Sequence, residues 1–463
     1  MATIIEQHPF YDILPIGQQV IFAVSNDTIV ANNFRVKFIA EVYVSNTAIT
    51  WASSQKVGSF KTTPNNAGVG IFDFRPVLES FVKPDHEPNT TIVASSDSEY
   101  KGEKAQTAIF PIHLLDKFSV SNNSIKRFAV RFKVEYFANL TTSTITVSDP
   151  EDSDEYKMFN GVLQYDDALL LSNGNYGYDL SSYYLNGTTK SFLSNAPTTQ
   201  YARLEDYGTM AFFQYIPNST YAVSYIKIDY IFPSGSSTEN INWTSANGGI
   251  TSQGPLSNTR IGYFGCFPAN LKNWSSTFAT AVTNGLTSYQ LKAYDTSGRI
   301  SQQYNINILC PNERDYEGIR LTWLNQWGTW DYYTFNMKST KSIETNRTSY
   351  TQLGGTWNES KFKISDFKGG KKNFRVNSKE KIKLNTDFVT EEEGVWFEEL
   401  INSPEVYIVN GFSVDVLNTI TNKYIEPVIL TTSSYIKKTK ANDRLMQYTI
   451  EIEKSRFKRT QAV

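Results

Sequence analysis

A chain of 463 residues is too long for one hydrophobic core and predicts two or three domains, three being preferred. Lys plus Arg (44) nearly balances Asp plus Glu (46), and the net charge of -2 excludes binding to nucleic acid or anionic membrane through the whole surface. Two cysteines, Cys266 and Cys310, exclude the disulfide framework of a small secreted domain and read as buried thiols.

Aromatics make up 14% of the residues, and long Leu/Ala/Glu/Lys runs are nearly absent. That composition predicts a mainly β protein, because aromatic and β-branched side chains pack well on a pleated surface. The opening segment MATIIEQHPFYDILPIGQQ carries Glu6 and Asp12 and has no basic region ahead of an apolar core, so it does not read as a signal peptide. No apolar run approaches the ~20 residues that cross a bilayer. The expected product is soluble and made in the cytoplasm.

In chain order, Phe34, Val36, Phe38, Ala40, Val42 and Val44 alternate with Arg35, Lys37 and Glu41, the period of a half-buried strand. Phe128, Val130, Phe132, Val134 and Tyr136 repeat the pattern against Arg131, Lys133 and Glu135. Two long strands of one antiparallel sandwich are favoured over an internal repeat. Between them GIFDFRPVLE (70–79) reads as a strand stopped by Pro76, and 83–107 as a long polar loop. Residues 1–165 are thus assigned to an N-terminal β-sandwich. Residues 166–212, rich in Asn, Gly, Ser and Tyr, read as an irregular connection.

Regular patterning returns in YAVSYIKIDYIF (221–232), and 289–294 with 304–310 predicts a hairpin around the turn Asp295-Thr-Ser-Gly298. A second sandwich is assigned to 213–310, giving two tandem immunoglobulin-like β-sandwiches. The remainder, 311–463, is assigned to a β-rich C-terminal assembly domain with one short helix. Thr390 and Glu393 make a capping box, Trp396/Leu400 and Phe397/Ile401 an apolar stripe, and Pro404 the stop. Strands are expected at 406–409, 428–430 and 446–452.

Little of this points to a reaction. His8, His86 and His113 are scattered, with no H-E-x-x-H or Cys/His spacing and no G-x-S-x-G elbow. The acidic run from Asp149 to Glu155 lacks the central glycine and closing glutamate of a calcium loop and reads as a solvated loop. No phosphate-binding loop occurs, and Gly354-Gly355 and Gly369-Gly370 read as turns. No catalytic residue, metal ligand or cofactor is assigned, and the chain is not read as an enzyme.

Two segments stand out. Trp323, Trp327, Trp330, Tyr332 and Tyr333 crowd one stretch, and with Trp396 they are taken as the candidate interface between subunits, because aromatics cover apolar area with few rotatable bonds. Stacking on sugar rings is the alternative for the same cluster, but its poor alternation requires both faces to be covered. Between 361 and 383, nine basic residues face only Asp366 and Glu380. The strip, with Lys361, Lys363, Lys368, Lys371, Lys372 and Arg375 at its centre, suits an acidic patch on another subunit or a phosphate backbone. The former is favoured, because DNA binding usually comes with a strongly basic domain.

RLTWLNQWGTWDYYTFNMKS (320–339), FVTEEEGVWFEELINSPEVYIV (388–409) and PVILTTSSYIKKTKANDRLMQYTIEIE (427–453) together resemble a family of virion structural proteins of tailed bacteriophages, closest to those of crAss-like and other phages infecting Bacteroidota. KSFLSNAP (190–197) and YFGCFPANL (263–271) fit the same pattern, so the resemblance covers most of the chain from about 190 onward. It implies a ring-forming tail, neck, tail-hub or baseplate component that acts by contact with copies of itself and with other virion proteins. No catalytic residue carries over. The alternatives are a carbohydrate-binding tail-fibre or adhesin module and, behind it, a glycan depolymerase, for which no β-helix repeat is visible.

Overall fold

The computed structural model describes residues 2–84, 117–120, 123–141, 144–164, 191–214, 222–244, 261–309, 316–358, 360–409, 425–432 and 446–459, with short pieces between 169 and 183 and single residues 247, 434 and 436. The expected polar loop lies outside the described residues beyond Pro84, as do His86, His113 and Cys310. Among the described residues strands account for 50% and helices for 13%, so the protein is mainly β. The chain divides into two compact units. One is chiefly Met1–Leu309 with Leu324–Asp331, and the other chiefly Cys310–Trp323, Tyr332–Ser413 and Thr419–Val463.

In the first unit the two look-alike segments are the strands Phe34–Ser45 and Ile125–Phe137, and they are direct antiparallel neighbours. Phe38 stands opposite Val134, Ala40 opposite Phe132, and Val42 opposite Val130. All six are fully buried, as period-2 alternation requires of one sheet face. Lys56–Thr62, Tyr156–Phe159 and Ile13–Pro15 extend this sheet, while Ile4–Gln7, Ile21–Ser25 and Val69–Asp73 form a second. Phe22, Phe72 and Phe74 fill the space between, with the Phe22 and Phe132 rings 5.6 Å apart. A Cβ at Gly70 would come within 2.5 Å of the Phe38 ring, so glycine is what lets the sheets approach there.

The other face of the longer sheet carries a charge ladder. Glu41 accepts from Lys56 and Lys133, Glu135 from Lys61, and Asp152 from Arg131. Opposite charges placed across strands fix the register that buries the apolar face.

Further along this unit a five-stranded sheet runs in the order Thr199–Ala202, Tyr304–Ile308, Ser288–Tyr294, Tyr225–Phe232, Gly235–Asn242. The expected hairpin is present. Its turn is held by the Asp295 carboxylate, which accepts from the Ser297 and Arg299 amides at 2.8 Å, and Gly298 supplies a φ of +80°. A three-stranded sheet joins Thr209–Phe213, Ile261–Gly265 and Phe118–Val120. Besides the helix expected in the C-terminal domain, helices span Pro268–Trp274 and Ser276–Thr283. Pro268 fits the first turn, where its missing N–H is not needed, and the Ser275 hydroxyl caps the second helix by accepting from the Phe278 amide at 2.8 Å. Shorter helices occupy Asp27–Asn32 and Arg75–Leu78, the latter with Pro76 in its first turn.

The seven-stranded sheet of the C-terminal region has the order Trp330–Phe335, Ile319–Leu324, Val406–Val409, Ile425–Leu430, Thr449–Lys454, Gly370–Asn385, Thr340–Gln352. Its helix, Glu391–Asn402, begins at the predicted capping box, in which the Thr390 amide donates to Glu393 at 2.8 Å and the Glu393 amide to the Thr390 hydroxyl at 3.2 Å. The helix stops two residues before Pro404. Its buried stripe of Trp396, Phe397 and Leu400 meets Trp323, Tyr333, Phe335 and Tyr448, with the Trp323 and Trp396 rings 4.9 Å apart.

Candidate functional site

The candidate interface aromatics are not on the surface. Trp323, Trp327, Trp330, Tyr332 and Trp396 are buried, and Tyr333 is half-buried. Trp323 and Trp396 are core residues under the C-terminal helix, beside Tyr333, whose phenol is pushed up by burial and by the nearby Glu393 and Asp387 carboxylates. The Tyr332 ring receives the Arg320 guanidinium at 5.4 Å, and that guanidinium also donates to the Thr334 hydroxyl at 2.8 Å.

Trp327 lies in the turn Asn325–Thr329, where the Asn325 carboxamide oxygen accepts from the Trp327 and Thr329 amides at 3.0 and 3.1 Å. The Leu193 carbonyl accepts from the Asn325 amide group and the Thr329 hydroxyl, and the Trp327 indole N–H donates to Asn195 at 3.3 Å. Gly328, at φ +69°, closes the turn. A ring so enclosed by its own chain offers a second subunit or a sugar almost no area. The poor alternation of Trp323–Phe335 therefore reports a pair of strands covered on both faces.

The basic strip lies elsewhere, on an arm. Thr340–Gln352 and Gly370–Asn385 pair along their length, but the third strand of the sheet, Thr449–Lys454, pairs only with residues 381–385. A single bridge, Ser378 to Lys458, adds to that. From Asn346 and Asn377 outward the two strands form a ribbon with no further strand against it among the described residues, roughly 25 Å long at ~3.4 Å per residue. A small hairpin, Gly355–Asn358 with Lys361–Ile364, sits at its end. The double glycines lie at the turns, as expected: Gly369 and Gly370 adopt φ of +92° and +74°, and the Ser365 amide donates to the Gly354 carbonyl at 3.0 Å.

The register of the small hairpin makes it two-faced. Trp357 stands opposite Phe362 and Gly355 opposite Ile364, so these share one face, while Lys361 and Lys363 share the other with Thr356. Its apolar residues are open to solvent: Trp357 is 68% exposed, Ile364 82%, and the neighbouring Leu353 and Phe367 each 75%.

Charge pairing changes along the arm. Near the sheet, Lys341 meets Glu317 at 2.6 Å, Lys379 meets Glu453 at 2.7 Å, and Lys458 meets Glu380 at 3.3 Å. Toward the end, Lys361, Lys363, Lys371 and Arg375 are exposed and make no ion pair with a described residue. Lys368 and Lys372 are half-buried and donate to the Thr356 hydroxyl and the Phe367 carbonyl.

His8 and part of the acidic run have local partners. His8 Nδ1 shares a 2.9 Å hydrogen bond with the Tyr156 hydroxyl, and no cluster of metal-ligating side chains occurs among the described residues. From the acidic run, Glu155 accepts from the Ile49 amide at 2.8 Å and pairs with Arg127.

No protein family and no curated protein matches the chain. Among solved structures, the native E. coli alpha-2-macroglobulin shares 8% identity at a TM-score of 0.18 over 82% of this chain, and Salmonella alpha-2-macroglobulin reacted with methylamine shares 7% at 0.17 over 97%. The chain spans only 21% and 23% of those proteins, and likenesses of this size carry no argument about fold or role.

Proposed function

We propose that this chain is a structural component of a bacteriophage virion, a ring-forming tail, neck, tail-hub or baseplate protein that works through contacts with its own copies and with other tail proteins. The sequence segments that resemble tailed-phage virion proteins motivate the assignment, and one structural observation carries its contact-making part. A two-stranded ribbon is at best marginally stable alone in water, yet here one extends from a sheet with apolar side chains exposed at its end. Such an element gains most when a second protein covers it. Trp327 and Trp330, the platform for the carbohydrate-binding alternative, are buried, which leaves that reading without its binding surface.

Native mass spectrometry of the purified chain tests self-association. A discrete species at a multiple of the 52.5 kDa chain mass is expected. A single 52.5 kDa species at every concentration, with no tail protein binding it, would remove the proposal.

A further inference from the structure

We infer that the arm is the docking element: its end seats on the outward face of the helix Glu391–Asn402 of a second copy of this chain. The inference rests on the assembly reading above and names the two surfaces that meet.

On the arm, Trp357, Phe362 and Ile364 form an uncovered apolar face beside Leu353 and Phe367, backed by Lys361 and Lys363. On the helix, Glu391, Glu392 and Val395 recur at the spacing of one face, opposite buried Trp396, Phe397 and Leu400, and Phe388 precedes them. Val395 and Phe388 are each more than half exposed, and Glu391 and Glu392 are exposed. One surface is apolar with cations that make no ion pair among the described residues and the other apolar with exposed carboxylates, the complementarity that fixes partner and register at an interface. The aliphatic groups of Leu353 and Ile364 favour a protein partner over nucleic acid, whose phosphates do nothing for them.

Because the two surfaces are different parts of the same chain, the contact is heterologous wherever it is not returned within a two-fold pair. Repeated from copy to copy, it closes into a ring or extends as a filament.

The test is a charge exchange on the full-length protein, read by native mass and sedimentation. The arm variant Lys361→Glu/Lys363→Glu/Lys371→Glu and the helix variant Glu391→Lys/Glu392→Lys should each assemble at least tenfold more weakly than the parent. A chain carrying both sets should regain assembly, and mixing the two single variants should restore assemblies in which the two variants alternate. All these residues are exposed, so unchanged circular dichroism is expected and confirms that the variants are folded. The unfolding midpoint of the arm variant should be unchanged and that of the helix variant slightly lowered, because two cations replace first-turn glutamates at the positive end of the helix dipole. Parental assembly by both variants overturns the docking while leaving the ring assignment standing, whereas a parent that never assembles overturns both. If the arm variant alone is impaired, the helix is the wrong acceptor. If assembly is intact but the arm variant loses retention of a double-stranded DNA fragment, the arm is a nucleic-acid element and the inference fails.

Discussion

Truncating Trp323 to alanine removes a fully buried ring packed on Trp396 and is expected to cost about 3–5 kcal/mol, read from the urea unfolding midpoint. Trp357→Ala should change stability by less than about 0.5 kcal/mol, because that ring is mostly in water, and should weaken assembly instead. Equal destabilisation by the two would contradict the assignment of one to the core and the other to an interface. Composition does not separate these tryptophans. Trp323 lies in a segment with no clean alternation, which sequence reads equally as buried strand or interface, and the two-faced character of Trp357 emerges only from its pairing with Phe362.

Glu41 makes a pH prediction at the same scale. Burial alone raises its carboxyl, but hydrogen bonds and charge from Lys56 and Lys133 outweigh this and hold it below its ordinary value of 4.5. A depressed folded value means that the stabilisation is present above the unfolded value and is lost as pH falls through the folded one. Thermal melts between roughly pH 5 and pH 3 should therefore be less steeply pH-dependent in Glu41→Gln than in the parent, and parallel curves would assign the acid loss to other carboxylates.

The C-terminal helix shows what a local sequence pattern specifies. Its capping box, stripe and stop are all near neighbours in sequence, and all are found in place. Thr390→Ala should cost about 1 kcal/mol by removing the hydroxyl that accepts from the Glu393 amide, and Thr390→Ser should retain most of that, as judged by melting temperature. The helix Pro268–Trp274 escapes the same reading because Pro268, Ala269, Asn270 and Leu271 are consecutive and all buried, and the exposed Lys272 and Asn273 fall only in its last turn, which sets no period. The long strands 34–45 and 125–137 were legible from alternation, whereas their partnership is a matter of tertiary pairing.

The arm was legible only in part, as a basic strip between glycine turns. Its strands alternate weakly because little covers either face of the ribbon, and alternation records burial. Replacing residues 353–369 with a two-residue turn should leave the unfolding midpoint of the C-terminal unit within error of the parent, since this segment contributes nothing to the buried core. Loss of cooperative unfolding would instead make the arm part of the folding unit.

At the scale of the whole molecule, near-neutral net charge hides a local imbalance, with paired lysines near the sheet and, toward the arm's end, lysines that make no ion pair among the described residues. That imbalance and the apolar end together support the proposal that neighbouring proteins complete this one. On the proposal that the chain is a virion protein, quantitative mass spectrometry of purified phage particles tests that claim most directly. A fixed number of copies per particle, greater than one, is predicted, and absence of the chain from intact particles would contradict it.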